Sequence, residues 1–197
     1  FITNEKSDRY PIRMELLFDM IEMKPGNESN FYTFNRFYER FKDSDNKYET
    51  WELIERYMQQ LKEWYNDFDL FHHIGFLVAT GTSVKSLLDI AMSTDNPIKK
   101  SDFRLKILDM IRDRMVFTAG ERDNKEEIDY ADLNYEKHSE FIQCVLLLFN
   151  VETIRQKGDE NIRFPFDRYK NEGTWSLEHI HAQNSESLKT NQEWKEW

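Results

Sequence analysis

Six glycines and four prolines are all that interrupt 197 residues. A many-stranded sheet needs frequent turns, and glycine and proline supply most turn geometries. A chain this poor in both, with charged and apolar residues mixed over long stretches, is read as mainly α. The apolar spacing predicts a multi-helix bundle of about seven helices, followed by a short extended or β segment.

The first helix starts at Pro11, carries Met14, Leu17 and Ile21, and ends near Lys24-Pro25-Gly26. The second carries the aromatic stripe Phe31, Phe34, Phe37 or Tyr38, and Phe41. A ligand groove and a core face both fit that stripe, and helical spacing favours the core. Asn46-Lys47-Tyr48-Glu49 has the form of a capping box and opens the longest helix, with Trp51, Ile54, Met58, Leu61 and Tyr65 as its apolar line. Leu70, Phe71, Ile74, Leu77 and Val78 make a fourth helix that stops around Thr80-Gly81, and Val84, Leu87, Leu88 and Ala91 a short fifth. The sixth runs from Ser101 to Phe117, with Leu105, Leu108, Ile111 and Met115 inward. Residues 119–134 are rich in charge and read as a surface loop. A seventh helix, Glu136 to Lys157, contains Val145-Leu146-Leu147-Leu148-Phe149; that run is apolar on every side, which predicts a central position.

After Gly158 the pattern changes. Arg163-Phe164-Pro165-Phe166 and Thr174-Trp175-Ser176-Leu177 are short, aromatic and bounded by Gly and Pro, as extended segments are. Residues 1–157 are therefore read as a helical domain and 158–197 as the start of a second module.

Several clusters have an ordinary structural explanation. His72 and His73 are adjacent, so on a helix they point about 100° apart and cannot readily share one metal ion. Lys99, Lys100, Arg104, Lys106, Arg112 and Arg114 are interleaved with Asp102, Asp109 and Asp113, which suits a solvated helix face better than a DNA-contact stripe. The net charge of −10 argues against a large nucleic-acid surface on this segment, while leaving room for a small site that touches one phosphate. Cys144 is the sole cysteine; it suits a reducing, cytoplasmic compartment and reads as a buried structural thiol. Aromatic content is high, with 15 Phe, 9 Tyr and 5 Trp, enough for a substantial core. No run of ~18 apolar residues predicts a membrane span. The first residue is Phe and the last five read as a helix opening, so both ends are expected to be internal to a longer protein.

Trp175-Ser176-Leu177-Glu178-His179-Ile180-His181-Ala182-Gln183 is the stretch that looks least like packing. An acidic residue followed by histidine at a strand end has the local order of a ββα-metal nuclease. Phosphodiester hydrolysis needs a base to deprotonate water, and histidine has an unperturbed pKa near neutrality. It also needs a divalent cation, which prefers carboxylate or amide oxygens. Glu178 can supply an oxygen and His179 the base. Neighbours on a regular strand point to opposite faces, so both reach one phosphate only where the strand ends or twists. His181 shares a face with His179 if the extension continues, as a second ligand or phosphate contact.

This run resembles the Ser-[Leu/Ile]-Glu-His-Ile-x-[Pro/Ala]-Gln signature that opens the HNH-nuclease-like C-terminal domain of bacterial GmrSD-type restriction proteins. Arg13 to Ile21, Phe31 to Phe34, Glu63 to Asp67 and Leu146 to Val151 resemble the helical region of the same family. The resemblance implies a ParB-like nucleotide-binding domain upstream and an HNH-like domain that cleaves DNA, in some members DNA with modified bases, to restrict phage. Carried over, His179 matches the general base and Glu178 the acidic metal-site position, with Mg²⁺ as the expected divalent metal. His181 stands where many members differ and takes a supporting role. The nucleotide motif and the residues completing the metal site would lie outside this chain, so the chain alone is expected to be inactive. Asn191, in Thr190-Asn191-Gln192-Glu193, reads as a helix-start residue.

Two functions remain open on these residues. One is a metal-dependent DNA endonuclease of the restriction type. The other is a helical interaction or relay module, without chemistry of its own, that couples a nucleotide-sensing domain to an effector or pairs with a protein partner or a second copy.

Overall fold

The computed structural model describes residues 13–29, 31–42, 47–119 and 126–169. Eight α-helices lie among them: α1 (Arg13–Ile21), α2 (Tyr32–Phe41), α3 (Lys47–Asn66), α4 (Phe68–Ala79), α5 (Val84–Ala91), α6 (Lys100–Met115), α7 (Tyr135–Lys157) and α8 (Phe166–Tyr169). Mainly α is correct. An eighth helix starts at the last residue of the expected extended segment Arg163–Phe166, whose first three residues are non-helical: Arg168 and Tyr169 donate their amides to the Pro165 carbonyl at 3.0 and 3.1 Å, closing a helical turn. Proline fits the start of such a turn because it has no N–H to leave unpaired. The second expected extended stretch, Thr174 to Leu177, and the Asn46 cap lie outside the described residues. Within the expected loop of 119–134, the described residues hold regular structure. A two-residue ladder pairs β1 (Thr118–Ala119) with β2 (Glu126–Glu127), and a 3-10 turn follows at Tyr130–Asp132.

The centre of the bundle is α4, packed against α3, α6 and α7. Leu70, Phe71, His72, Ile74, Gly75, Phe76, Leu77 and Val78 are all buried, so this helix is enclosed on every side. Asp67 caps its start by accepting the Leu70 amide at 3.0 Å. Its end is a glycine stop. Gly81 adopts φ +101° and donates to the Val78 carbonyl at 3.2 Å, while Thr82 donates to Leu77 at 2.8 Å. That paired closure satisfies the last carbonyls of the helix.

The expected central position of α7 is corrected. Only Ile142, Leu147 and Val151 are buried on it, and Phe149 is 67% exposed. Its apolar run is five residues long and is flanked by Glu140, Gln143, Asn150 and Thr153, so solvent keeps one side. On α4 the apolar character lasts the whole helix, and that decides which of the two is enclosed.

Three helices also turn a different face inward from the one expected. On α3 the buried line is Thr50, Ile54, Tyr57, Leu61 and Trp64, whereas Trp51, Met58 and Tyr65 are about half exposed. The two stripes share Ile54 and Leu61; what selects between them is Trp64, stacked on Phe103 of α6 at 5.5 Å and 5°. On α6 the inward residues are Phe103, Ile107 and Ile111, and Leu105 is exposed. On α2 the aromatic stripe splits. Phe37 packs edge-on against Phe18 of α1 at 5.4 Å, but Phe31, Phe34 and Tyr38 face solvent. Glu22, beyond the end of α1, holds α2 instead by an ion pair with Arg40 at 2.7 Å.

The core continues past Gly158. Phe164 and Phe166 are both 2% exposed and belong to the same apolar cluster as α4. Gly75 makes this possible, because a Cβ there would overlap the Phe166 ring. Gly75→Ala is therefore expected to destabilise the fold by about 1–3 kcal/mol through overpacking. Urea unfolding followed by circular dichroism reads the change, and Phe166→Leu in the same chain should recover part of it. No helix among the described residues is long and apolar enough to cross a membrane.

Candidate functional site

Glu178, His179 and His181 lie outside the described residues. What the structure places is the segment that leads towards them, Ile162 to Tyr169, strapped across α4. His72 is its anchor. The ring is fully buried; Nδ1 lies 2.8 Å from the Phe68 carbonyl oxygen, and Phe164 N–H donates to Nε2 at 3.2 Å. A nitrogen that accepts carries no proton, so the ring is neutral, with its proton on Nδ1. Burial pushes the pKa of His72 below its ordinary 6.5. Beside it, Arg163 places its guanidinium 4.8 Å from the Tyr65 ring and 4.7 Å from the Phe71 ring, and donates to the Tyr65 carbonyl. Phe166 completes the strap at 4.8 Å from Phe164 and 5.7 Å from Phe71.

His73 points elsewhere. Its Nε2 sits 3.2 Å from Glu152 of α7, and Arg155 holds the same carboxylate with Nη2 at 2.7 Å. Arg155 then reaches Asp69 of α4 at 3.0 Å. The His73 hydrogen bond, followed by Arg155, lowers the Glu152 pKa to about 2. A carboxylate so firmly ionised is a poor proton shuttle at neutral pH, so this four-residue tie serves to join α4 to α7. The Glu152–Arg155 half was visible at i, i+3 spacing; the Asp69 half, 86 residues away, left no local signal.

The chain matches no protein-family model, no curated protein and no solved structure. A functional reading therefore stands on the residues themselves. Three of the six cations in the basic run at α6 are held in pairs: Lys100 with Glu63 at 2.5 Å, Arg104 with Asp67, and Arg112 with Asp109 at 2.7 Å. A cleft of about 780 Å³ opens between the C-terminal ends of α4 and α6 and the first half of α7, lined by Met110, Arg114, Phe117, Phe141, Cys144 and Tyr169 among others. Burial pushes the Cys144 thiol up, so it stays protonated, 3.9 Å from the Met115 sulfur. That suits a packing thiol better than a nucleophile. Among the described residues, no three or more His, Cys, Asp or Glu side chains are grouped to hold a metal ion.

These shifts set two acid windows. His72 has a folded pKa below its unfolded 6.5, so the stability it gives is complete above pH 6.5 and is lost as pH falls below that value. Glu152 behaves alike lower down, losing its contribution between pH 4.5 and about 2. Urea unfolding measured from pH 8 to 3 should show Glu152→Gln flattening only the lower limb. Equal flattening above pH 5 would contradict the tie.

Proposed function

We propose that this chain is part of a metal-dependent DNA endonuclease of the restriction type, similar to the GmrSD-type proteins. The helical domain carries the nuclease segment, and the observation behind the reading is the Trp175–Gln183 run. In it, His179 is the general base that takes a proton from the attacking water. Glu178 offers a carboxylate oxygen of the type a hard cation prefers, and His181 supports the phosphate. A divalent ion such as Mg²⁺ held there would offset charge on the phosphate and the leaving oxygen. One carboxylate holds such an ion weakly, so the full-length protein is expected to add further ligands.

The helical part has a role of its own in this reading. The strap ties the chain to α4 through Phe164 and Phe166, and eight residues separate Tyr169 from Glu178. The ion-pair tie between α4 and α7, with no metal-holding group among the described residues, suits a relay better than a second catalytic centre. A nucleotide-sensing domain upstream would act through this bundle, and its exposed Phe31, Phe34 and Tyr38 offer a face for a protein partner or a second copy.

The test is cleavage of modified and unmodified DNA by the full-length protein with and without Mg²⁺. Metal-dependent cleavage of either substrate is the expected result. No cleavage of either, with metal present, leaves the relay reading alone.

A further inference from the structure

Both nitrogens of His72 are committed. Nδ1–H serves the Phe68 carbonyl and bare Nε2 receives the Phe164 amide, inside a site with no solvent exposure. A proton added to Nε2 would set an N–H against the N–H of Phe164, a donor facing a donor, with no water to take up either. The charge would also be unwelcome. Arg163 on the strap and His73 on α4 both oppose it, and Glu152 on α7 favours it but is already held by Arg155 and His73. From α3 comes the Tyr65 ring under Arg163, and from α8 the Phe166 ring, neither of them charged.

We propose that His72 is a positioning residue that holds the Ile162–Tyr169 strap on α4 only while its ring is neutral, so that one proton undocks the strap, α8 included, and leaves α3, α4, α6 and α7 folded. The other holds on the strap do not answer to a proton in this pH range: Arg163 donates to the Tyr65 carbonyl and lies on two rings, and Phe164 and Phe166 are packed into the core. By contrast α4 stays wrapped by α3, α6 and α7, none of which depends on that ring. Loss of the Phe164 hydrogen bond therefore acts first on the strap. This holds whatever chemistry the segment beyond Tyr169 performs.

The experiment is amide hydrogen exchange on the whole chain from pH 7.5 to 5.0, with rates corrected for the chemical exchange of each amide. Protection of residues 164–169 (Pro165 excepted) is expected to fall towards tenfold per pH unit below the His72 pKa. Amides of Phe71 to Val78 should hold their protection over the same range. In His72→Gln the side-chain amide offers an acceptor and a donor without titrating, and strap protection should be flat with pH. Strap and α4 losing protection in parallel would overturn the proposal, as would a pH dependence unchanged in the glutamine variant. A second reading needs no variant: ¹⁵N shifts of the His72 ring in the wild-type chain should report bare Nε2 at pH 7.5. A proton on Nε2 at that pH overturns the proposal equally.

Discussion

His179→Ala in the full-length protein is expected to lower DNA cleavage by about 10²–10⁴-fold, the usual contribution of a positioned general base. Three comparisons give the number meaning. The first is stability: the variant should unfold at the same temperature as wild type, so that the loss is one of chemistry and not of folding. Glu178→Gln should instead raise the Mg²⁺ concentration needed for half-maximal cleavage, since it removes a charged oxygen donor and leaves the base. His181→Ala should cost less than either. Cleavage unchanged in His179→Ala would remove the base from the proposal and with it the nuclease reading of the run.

Trp64→Ala carries the largest expected loss of stability. Its side chain is 0% exposed and lies flat on Phe103, so truncation removes a stacked ring and leaves a cavity between α3 and α6. Buried Trp to Ala changes cost about 3–5 kcal/mol. For a chain of this size that is a drop of roughly 6–20 °C in Tm. Trp51→Ala is the natural control, being on the same helix but 51% exposed, with its indole N–H donating to Glu55 at 2.7 Å. It should cost under about 1 kcal/mol. Urea unfolding followed by far-ultraviolet circular dichroism compares the pair without relying on the tryptophans themselves. Similar losses for both would mean that α3 presents the Trp51 face to the core.

That contrast marks where local reading of the sequence stops. Helix type and approximate ends were legible, because apolar spacing and the Gly81 stop are local properties. Rotation about the helix axis was not. On α3 two stripes share Ile54 and Leu61, and only a partner 39 residues away, Phe103, selects Trp64 over Tyr65. Central position was misread for a different reason. A five-residue apolar run on α7 stood out, while α4 spreads its apolar residues over twelve and includes two histidines. The strap was hidden entirely, since the Phe164 amide and the His72 ring are 92 residues apart. As for the candidate site, Glu178-His179 is legible as a run of residue types, and its geometry falls outside the described residues.

The same 92-residue separation bears on how the chain is made. On a ribosome adding about 5–20 residues per second, roughly 5–20 s pass between synthesis of His72 and of the Phe164 that covers it. During that interval the most apolar helix of the bundle waits without α7 or its closing phenylalanines. A nascent chain of this design is a natural client for a chaperone, and truncations that stop before α7 should collect in the insoluble fraction.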